Sequence, residues 1–276
     1  MIEKLPVEIS TTVLDLLSTA DLCEAACVDH CWNLLASSVL YRYPALNSVH
    51  QLYSFTQISE KEQSCVQNLD FSRIYQHVAD KLLVSWRRLS NLKCVNLAKC
   101  TYLTPAAILP LIQSNICHLH TLVLANCTIS NAVLHWIGQA TRQNLKFLDL
   151  SNTMIKPCAS IDAANHLDSM LDSTTVTKAD LRHLDLSFCT WVDGRTVENI
   201  AHCLPKLECV ILQWCNQIKL KSINILVQNQ NSLGTIDIRH TETIESIEQA
   251  SEIMENAASL KRIMFTYKTT STEIVS

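Results

Sequence analysis

Leu181–Val192 reads LRHLDLSFCTWV, with leucine at offsets 0, 3 and 5, cysteine at offset 8 and an apolar residue at offset 11. The same spacing recurs at Leu92 (LKCVNLAKCTYL), Leu119 (LHTLVLANCTIS), Leu145 (LKFLDLSNTMIK), Leu207 (LECVILQWCNQI), Leu233 (LGTIDIRHTETI) and Leu260 (LKRIMF). A degenerate copy, VQNLDFSRI, starts at Val66. From Val66 onward, successive starts are 26, 27, 26, 36, 26, 26 and 27 residues apart, so one interval is out of step. In an extended segment, residues two apart face the same way. Offsets 3 and 5 therefore point into a core and offsets 2, 4 and 6 point out. The fifteen or so residues that follow carry helical apolar spacing: Ala107 and Leu111; Val133, Leu134 and Ile137; Val197, Ile200 and Ala201; Ile223, Leu226 and Val227. A strand and a helix per unit, neither able to bury its apolar face alone, predict an α/β solenoid that stacks to close its core. Its parallel sheet lines a concave face and its helices a convex one.

This pattern resembles the leucine-rich repeat, whose signature is LxxLxLxx[NC]xL at a period of 20 to 29. The cysteine-containing class is the nearer likeness, because offset 8 is Cys100, Cys127, Cys189 and Cys215, with Thr153 and Thr241 as substitutes. The resemblance covers residues 66–276 as seven to eight repeats. The long interval places an insertion near 156–178, read as a helix over 161–171 followed by a loop. The polar end KTTSTEIVS is expected to fray after Tyr267.

Composition narrows the function classes. The chain has 276 residues, 48% of them apolar and 17% charged, with net charge −4, which lacks the basic footprint of a nucleic-acid binder. No uncharged apolar run approaches 18 residues, so no membrane span is expected. Thirteen cysteines with no secretory leader in MIEKLPVEIS indicate a reducing compartment, cytoplasmic or nuclear. Three glycines cannot build a phosphate-binding loop. Cys23, Cys27, His30 and Cys31 straddle a predicted helix break at Asp29, a poor zinc spacing, and the scattered histidines form no catalytic order. No metal, cofactor or enzymatic activity is expected.

Residues 1–46 depart from the repeat and read as three short helices. Pro6 opens the first, with Ile9, Val13, Leu16 and Leu17 at i, i+4, i+7 and i+8. Thr19 or Asp21 caps the second and Asp29 the third. Residues 47–65 are a polar connector or irregular helix. The order Leu5-Pro6-x-Glu8-Ile9, Val13, Leu16-Leu17, Asp21-Leu22, Ala25-Ala26, Val28, Trp32, Leu35 and Leu40-Tyr41 resembles the F-box motif, departing from it at His30-Cys31 and Tyr41. That resemblance implies a module docking a Skp-type adaptor, and through it a cullin-RING ubiquitin ligase. Leu5, Pro6, Ile9, Leu17, Leu22, Val28 and Trp32 would form or support the docking face, although Val28 and Trp32 are equally explained as helix-bundle core.

The partner-binding surface expected on the solenoid comes from the register. Its outward strand positions include Phe147, Asp149, His183, Asp185 and Asp237. At offset 7, Phe188, Trp214, His240 and Tyr267 would stack from strand to strand about 5 Å apart. Large amphipathic rings anchor protein interfaces, although rings here could equally cover the edge of the core. The three aspartates beside them would favour a basic partner segment. Two functions are open: a substrate-recognition subunit of a Skp–cullin–F-box ubiquitin ligase that delivers a protein target for degradation, or a leucine-rich-repeat scaffold or inhibitor acting outside a ligase.

Overall fold

A computed structural model describes residues 6–86, 89–156, 179–257 and 259–275. Leu5 and the insertion at 157–178 lie outside these residues.

Three helices, α1 (Val7–Leu14), α2 (Thr19–Ala25) and α3 (His30–Leu40), form the head. Asp29 caps α3, its Oδ1 accepting from Trp32 N at 2.8 Å. The α2 cap is Ser18 instead of the expected Thr19 or Asp21, since the chain is still extended at Ser18 and its hydroxyl oxygen accepts from Asp21 N. The head core is small: Leu14, Leu22, Ala25, Ala36 and Val39, with Trp32 and Leu35 packed against it.

Residues 47–65 form two helices, α4 (Val49–Thr56) and α5 (Glu60–Cys65), capped by Ser48 and Ser59. Leu52 and Phe55 enter the core of the repeats, so this stretch belongs structurally to the solenoid's first end.

The repeats place β1 (Asn68–Asp70), β2 (Cys94–Asn96), β3 (Thr121–Val123), β5 (Phe147–Asp149), β7 (His183–Asp185), β8 (Cys209–Ile211), β9 (Thr235–Ile238) and β10 (Arg262–Tyr267) in one sheet, in that order and all parallel. Two short strands, β4 (Thr128–Ile129) and β6 (Met154–Ile155), pair separately beside it. Each strand begins at offset 2 of its unit and pairs with the same offset of the next, as at Leu148↔Leu184 and Leu184↔Val210. Even the long interval leaves the register intact, with Phe147 opposite His183.

A repeated hydrogen bond enforces this register. The offset-1 carbonyl of each unit accepts from two consecutive N–H groups of the next: Lys146 O from Arg182 and His183, Arg182 O from Glu208 and Cys209, Glu208 O from Gly234 and Thr235. At the start of the ladder the head supplies that carbonyl. Arg42 O accepts from Gln67 N at 3.0 Å and Asn68 N at 3.1 Å. The Arg42 side chain is in turn paired with Asp15, at 2.8 and 2.9 Å.

Behind the sheet lie α6 (Asp80–Ser85), α7 (Pro105–Asn115), α8 (Asn131–Thr141), α9 (Gly194–Cys203), α10 (Leu220–Asn229) and α11 (Ile247–Glu255). Their buried stripes, including Val133, Leu134, Ile137, Val197, Ile200, Ile223 and Leu226, meet the inward leucines in one continuous core. The cysteines at offset 8 tie neighbours together. Cys127 Sγ donates to Leu97 O, Cys189 Sγ to Leu150 O and Cys215 Sγ to Leu186 O, at 3.0 to 3.1 Å, each across one repeat. Thr153 and Thr241 donate to their own units, at Leu150 O and Ile238 O, and Thr153 Oγ1 also pairs with Cys189 Sγ of the next repeat at 3.5 Å.

The end of the chain corrects one expectation. Thr270–Val275 does not fray but forms β11, antiparallel to β10, through a two-residue turn in which Lys268 and Thr269 both have positive φ. Thr270, Thr272 and Ile274 suit a pleated strand, and Ile274 packs on the core. Both flanks of the architecture are thus finished by other elements, the helical head at β1 and a hairpin strand at β10.

Candidate interaction surfaces

The first surface is on the head. Helix α1 turns Ser10 and Leu14 inward, toward α3. The apolar stripe read from the sequence therefore faces outward: Ile9 is 50% exposed and Leu16 83%, with Val7, Val13 and Leu17 exposed beside them. Val28, in the turn before α3, is 64% exposed, so it is no part of the bundle core. Pro6 is exposed at the helix start. Leu22 is buried and Trp32 half-buried against the core, so these two can only support a docking face from beneath. Monomeric domains rarely leave this much contiguous aliphatic surface in water without a use for it.

The second surface runs along the strand exits. At offset 7 the backbone turns left-handed in six consecutive units, at Lys99, Asn126, Asn152, Phe188, Trp214 and His240, with φ between 52° and 67°. The turn lets each N–H reach the following repeat: Phe188 N donates to Gln213 O at 2.8 Å and Trp214 N to Arg239 O at 3.1 Å. Asparagine and histidine adopt this conformation comparatively readily, whereas Phe188 and Trp214, like Lys99, are held there at a cost of roughly 1–2 kcal/mol each. Their rings point outward and stack, Phe188 on Trp214 at 5.8 Å between centroids and Trp214 on His240 at 4.4 Å. Phe188 is 48% exposed and Trp214 46%, so the stack does more than cover the core's edge. Tyr267 is not a fourth member of the stack, because its strand continues into the hairpin and its backbone stays extended. It lines an open cleft with Trp214, His240, Glu242, Glu245 and Lys268.

On the sheet's outer face the aspartates have local partners. Asp149 Oδ1 accepts from Ser151 N, and Asp185 Oδ1 from Ser187 N and Oγ, each bracing the strand exit. Asp237 is a correction: it is 2% exposed, held by the Arg239 guanidinium at 2.7 to 3.2 Å and by Gln213 Nε2 at 2.7 Å, so its charge is neutralised internally. Phe147 and His183 stack face to face at 4.3 Å beside Asp149 and Asp185. Burial lowers the His183 pKa, against the pull of Asp185 and Asp149, and burial raises that of Asp185 despite its bonds to Ser187. Cys209 is opposite His183 in the register, the placement a nucleophile and base would take. Burial, with Asp185 and Asp237 nearby, pushes the thiol pKa up, which is the wrong direction for an activated thiolate. At the exit cysteines burial likewise raises the pKa, to about 12 for Cys100, Cys127 and Cys215 and about 11 for Cys189.

The left-handed exits were missed in the sequence. Asn126 and Asn152 were the available signal, being the residues that most favour that conformation after glycine.

Comparison with known proteins bears on the head most directly. The F-box-like family matches residues 2–47. No curated protein matches the chain. Among solved structures it is similar to the Rad7 and Elc1 complex of yeast, at 14% identity and a TM-score of 0.36 over 96% of this chain and 90% of that one. It is also similar to the leucine-rich-repeat protein LegL7 of Legionella pneumophila, at 11% identity and a TM-score of 0.38 over 84% and 90%. The N-terminal helices are an F-box-like domain, and the register, strand order and cysteine exits make the described residues from β1 onward a leucine-rich-repeat solenoid.

Proposed function

We propose that this protein is a substrate-recognition subunit of a Skp–cullin–F-box ubiquitin ligase. The carrying observation is the outward aliphatic stripe of α1, on a head that matches the F-box-like family over residues 2–47. The stripe, with Val28, docks the Skp-type adaptor and through it a cullin. The solenoid binds the protein to be ubiquitinated, and the chain itself contributes no catalytic group. Its effect on rate is proximity: a target lysine held near the ligase's conjugating enzyme gains effective concentration. The reading places the protein in the cytoplasm, the nucleus or both.

The test is copurification of the full chain with a Skp-type adaptor. Ile9→Asp with Leu17→Asp should abolish it while leaving the fold intact, because neither side chain belongs to the buried core of the head. Failure of the unmodified chain to bind any Skp-type adaptor would overturn the reading.

One observation keeps a second reading in view. The head supplies the Arg42 carbonyl that starts the repeat ladder, a capping role that a scaffold or inhibitor outside any ligase would also need. Target turnover that persists in the Ile9→Asp, Leu17→Asp variant would favour it.

A further inference from the structure

The solenoid of the proposed receptor ends in a cleft with a definite charge and shape. Its lining brings together the stacked Trp214 and His240, Tyr267 with Lys268 beside its ring, and the carboxylates Glu242 and Glu245. Both glutamates are exposed, and neither carboxylate has an ion pair among the described residues. Arg239 cannot neutralise them, since its guanidinium is committed to the buried Asp237. The cation of the cleft's own lining, Lys268, is folded over the Tyr267 ring at 5.0 Å from its centroid, so the rings here already hold a cation against their faces.

The backbone gives an independent reason to regard the aromatic stack as selected for contact. The equivalent exits in three other repeats carry Lys99, Asn126 and Asn152, and asparagine meets the left-handed turn with less strain. At Phe188, Trp214 and His240 the fold tolerates bulky rings in that conformation and leaves two of them nearly half in water. The core gains little from this arrangement. A partner that covers the rings gains more.

We infer that this cleft takes an arginine side chain from a basic, extended segment of the target protein, its guanidinium stacked on the Trp214–His240 rings and paired with Glu242 and Glu245. A planar guanidinium can stack on a ring face and at once donate in its plane to two carboxylates, which a lysine ammonium cannot. This inference rests on the solenoid being the target-binding part of the chain.

The test uses fluorescein-labelled pools of nine-residue peptides whose central residue is fixed as Arg, Lys, Gln or Glu. The flanking positions are mixtures of Gly, Ser, Ala and Leu. Polarisation titrations with the full chain should show the arginine pool binding at least about tenfold more tightly than the glutamine pool, a difference worth about 1.4 kcal/mol. Lysine should be intermediate and glutamate weakest. Glu242→Gln with Glu245→Gln should erase the arginine preference, and Lys268→Gln should strengthen arginine binding by removing the resident cation. Trp214→Asn, which suits the left-handed backbone and so keeps the fold, should weaken every pool. Equal binding of the arginine and glutamine pools, or an arginine preference that survives the double glutamate substitution, would overturn the inference. Adaptor copurification, measured on the same variants, should not change. Its loss in the unmodified chain would refute the ligase reading and leave the cleft result standing.

Discussion

Leu186→Ala is the most direct probe of the register. Leu186 is fully buried at offset 5 of the central repeat, its N–H bonded to Ile211 O at 2.9 Å and its carbonyl accepting from Cys215 Sγ at 3.1 Å. The substitution removes three carbons, worth roughly 2.4 kcal/mol in transfer at about 0.8 per methylene group. The void adds to this, because the sheet is pinned on both sides by the ladder and cannot collapse into it, so the total falls at about 2–5 kcal/mol. Urea unfolding followed by circular dichroism measures it, as a lower midpoint at unchanged slope. Arg182→Ala provides the control four residues away. Its guanidinium is half exposed and paired at 3.1 Å with an exposed Glu208, so its loss should cost less than about 1 kcal/mol. A Leu186→Ala cost within about 0.5 kcal/mol of zero would refute the assignment, because a slip of one residue exchanges the two faces of every strand.

Thiol chemistry gives a second prediction. With pKa values pushed to about 11 or 12, Cys100, Cys127, Cys189 and Cys215 should resist a disulfide reagent at pH 8 in the native protein, while exposed Cys23, Cys27, Cys31 and Cys117 react. Peptide mapping that found an exit cysteine modified as fast as Cys23 would contradict the burial of these thiols. The third prediction concerns pH. The folded His183 pKa is below its ordinary value, so as pH falls through about 6.5 the unfolded state takes up the proton first and stability declines. The raised Asp185 acts with the opposite sign and at lower pH, where the folded state binds the proton first. The fall in unfolding free energy between pH 7.5 and 5.5 should therefore be shallower in His183→Gln, and an unchanged profile would remove the burial effect assigned to this ring.

The repeat was legible because its constraint is periodic: a leucine at offset 3 or 5 has no place but the core, and eight copies report the same geometry. Asp29 was legible as a cap for a local reason, since a carboxylate before a helix has N–H groups to accept from. Longer-range choices were not. Whether the α1 stripe faces α3 or water depends on which side α3 occupies, and Ser10 with Leu14 took the inside. Asp237 looked like Asp149 and Asp185 by position, but Arg239 two residues on and Gln213, just past β8 in the preceding repeat, closed over it. The Lys268-Thr269 turn lacks the Asn-Gly or Asp-Gly signature of a two-residue hairpin, so the last strand had no visible punctuation. Three of the four expected rings, Phe188, Trp214 and His240, stack in the register, while the left-handed turn that aims them outward was hidden behind Phe188 and Trp214, residue types that rarely adopt it.

The Arg42 carbonyl has a consequence for reach. It occupies the position that an earlier repeat would, so the head is locked to the first rung of a ladder whose later rungs are evenly spaced. From β1 to β9 there are six such steps, about 29 Å at ~4.8 Å each along the sheet. The span between head and terminal cleft is therefore counted out in whole repeats and cannot drift by fractions. Deleting one repeat would move the cleft about 5 Å nearer and rotate it by the twist of one strand pair. Under the proposed function, the solenoid would hold a bound target and its repeat count would set where that target sits.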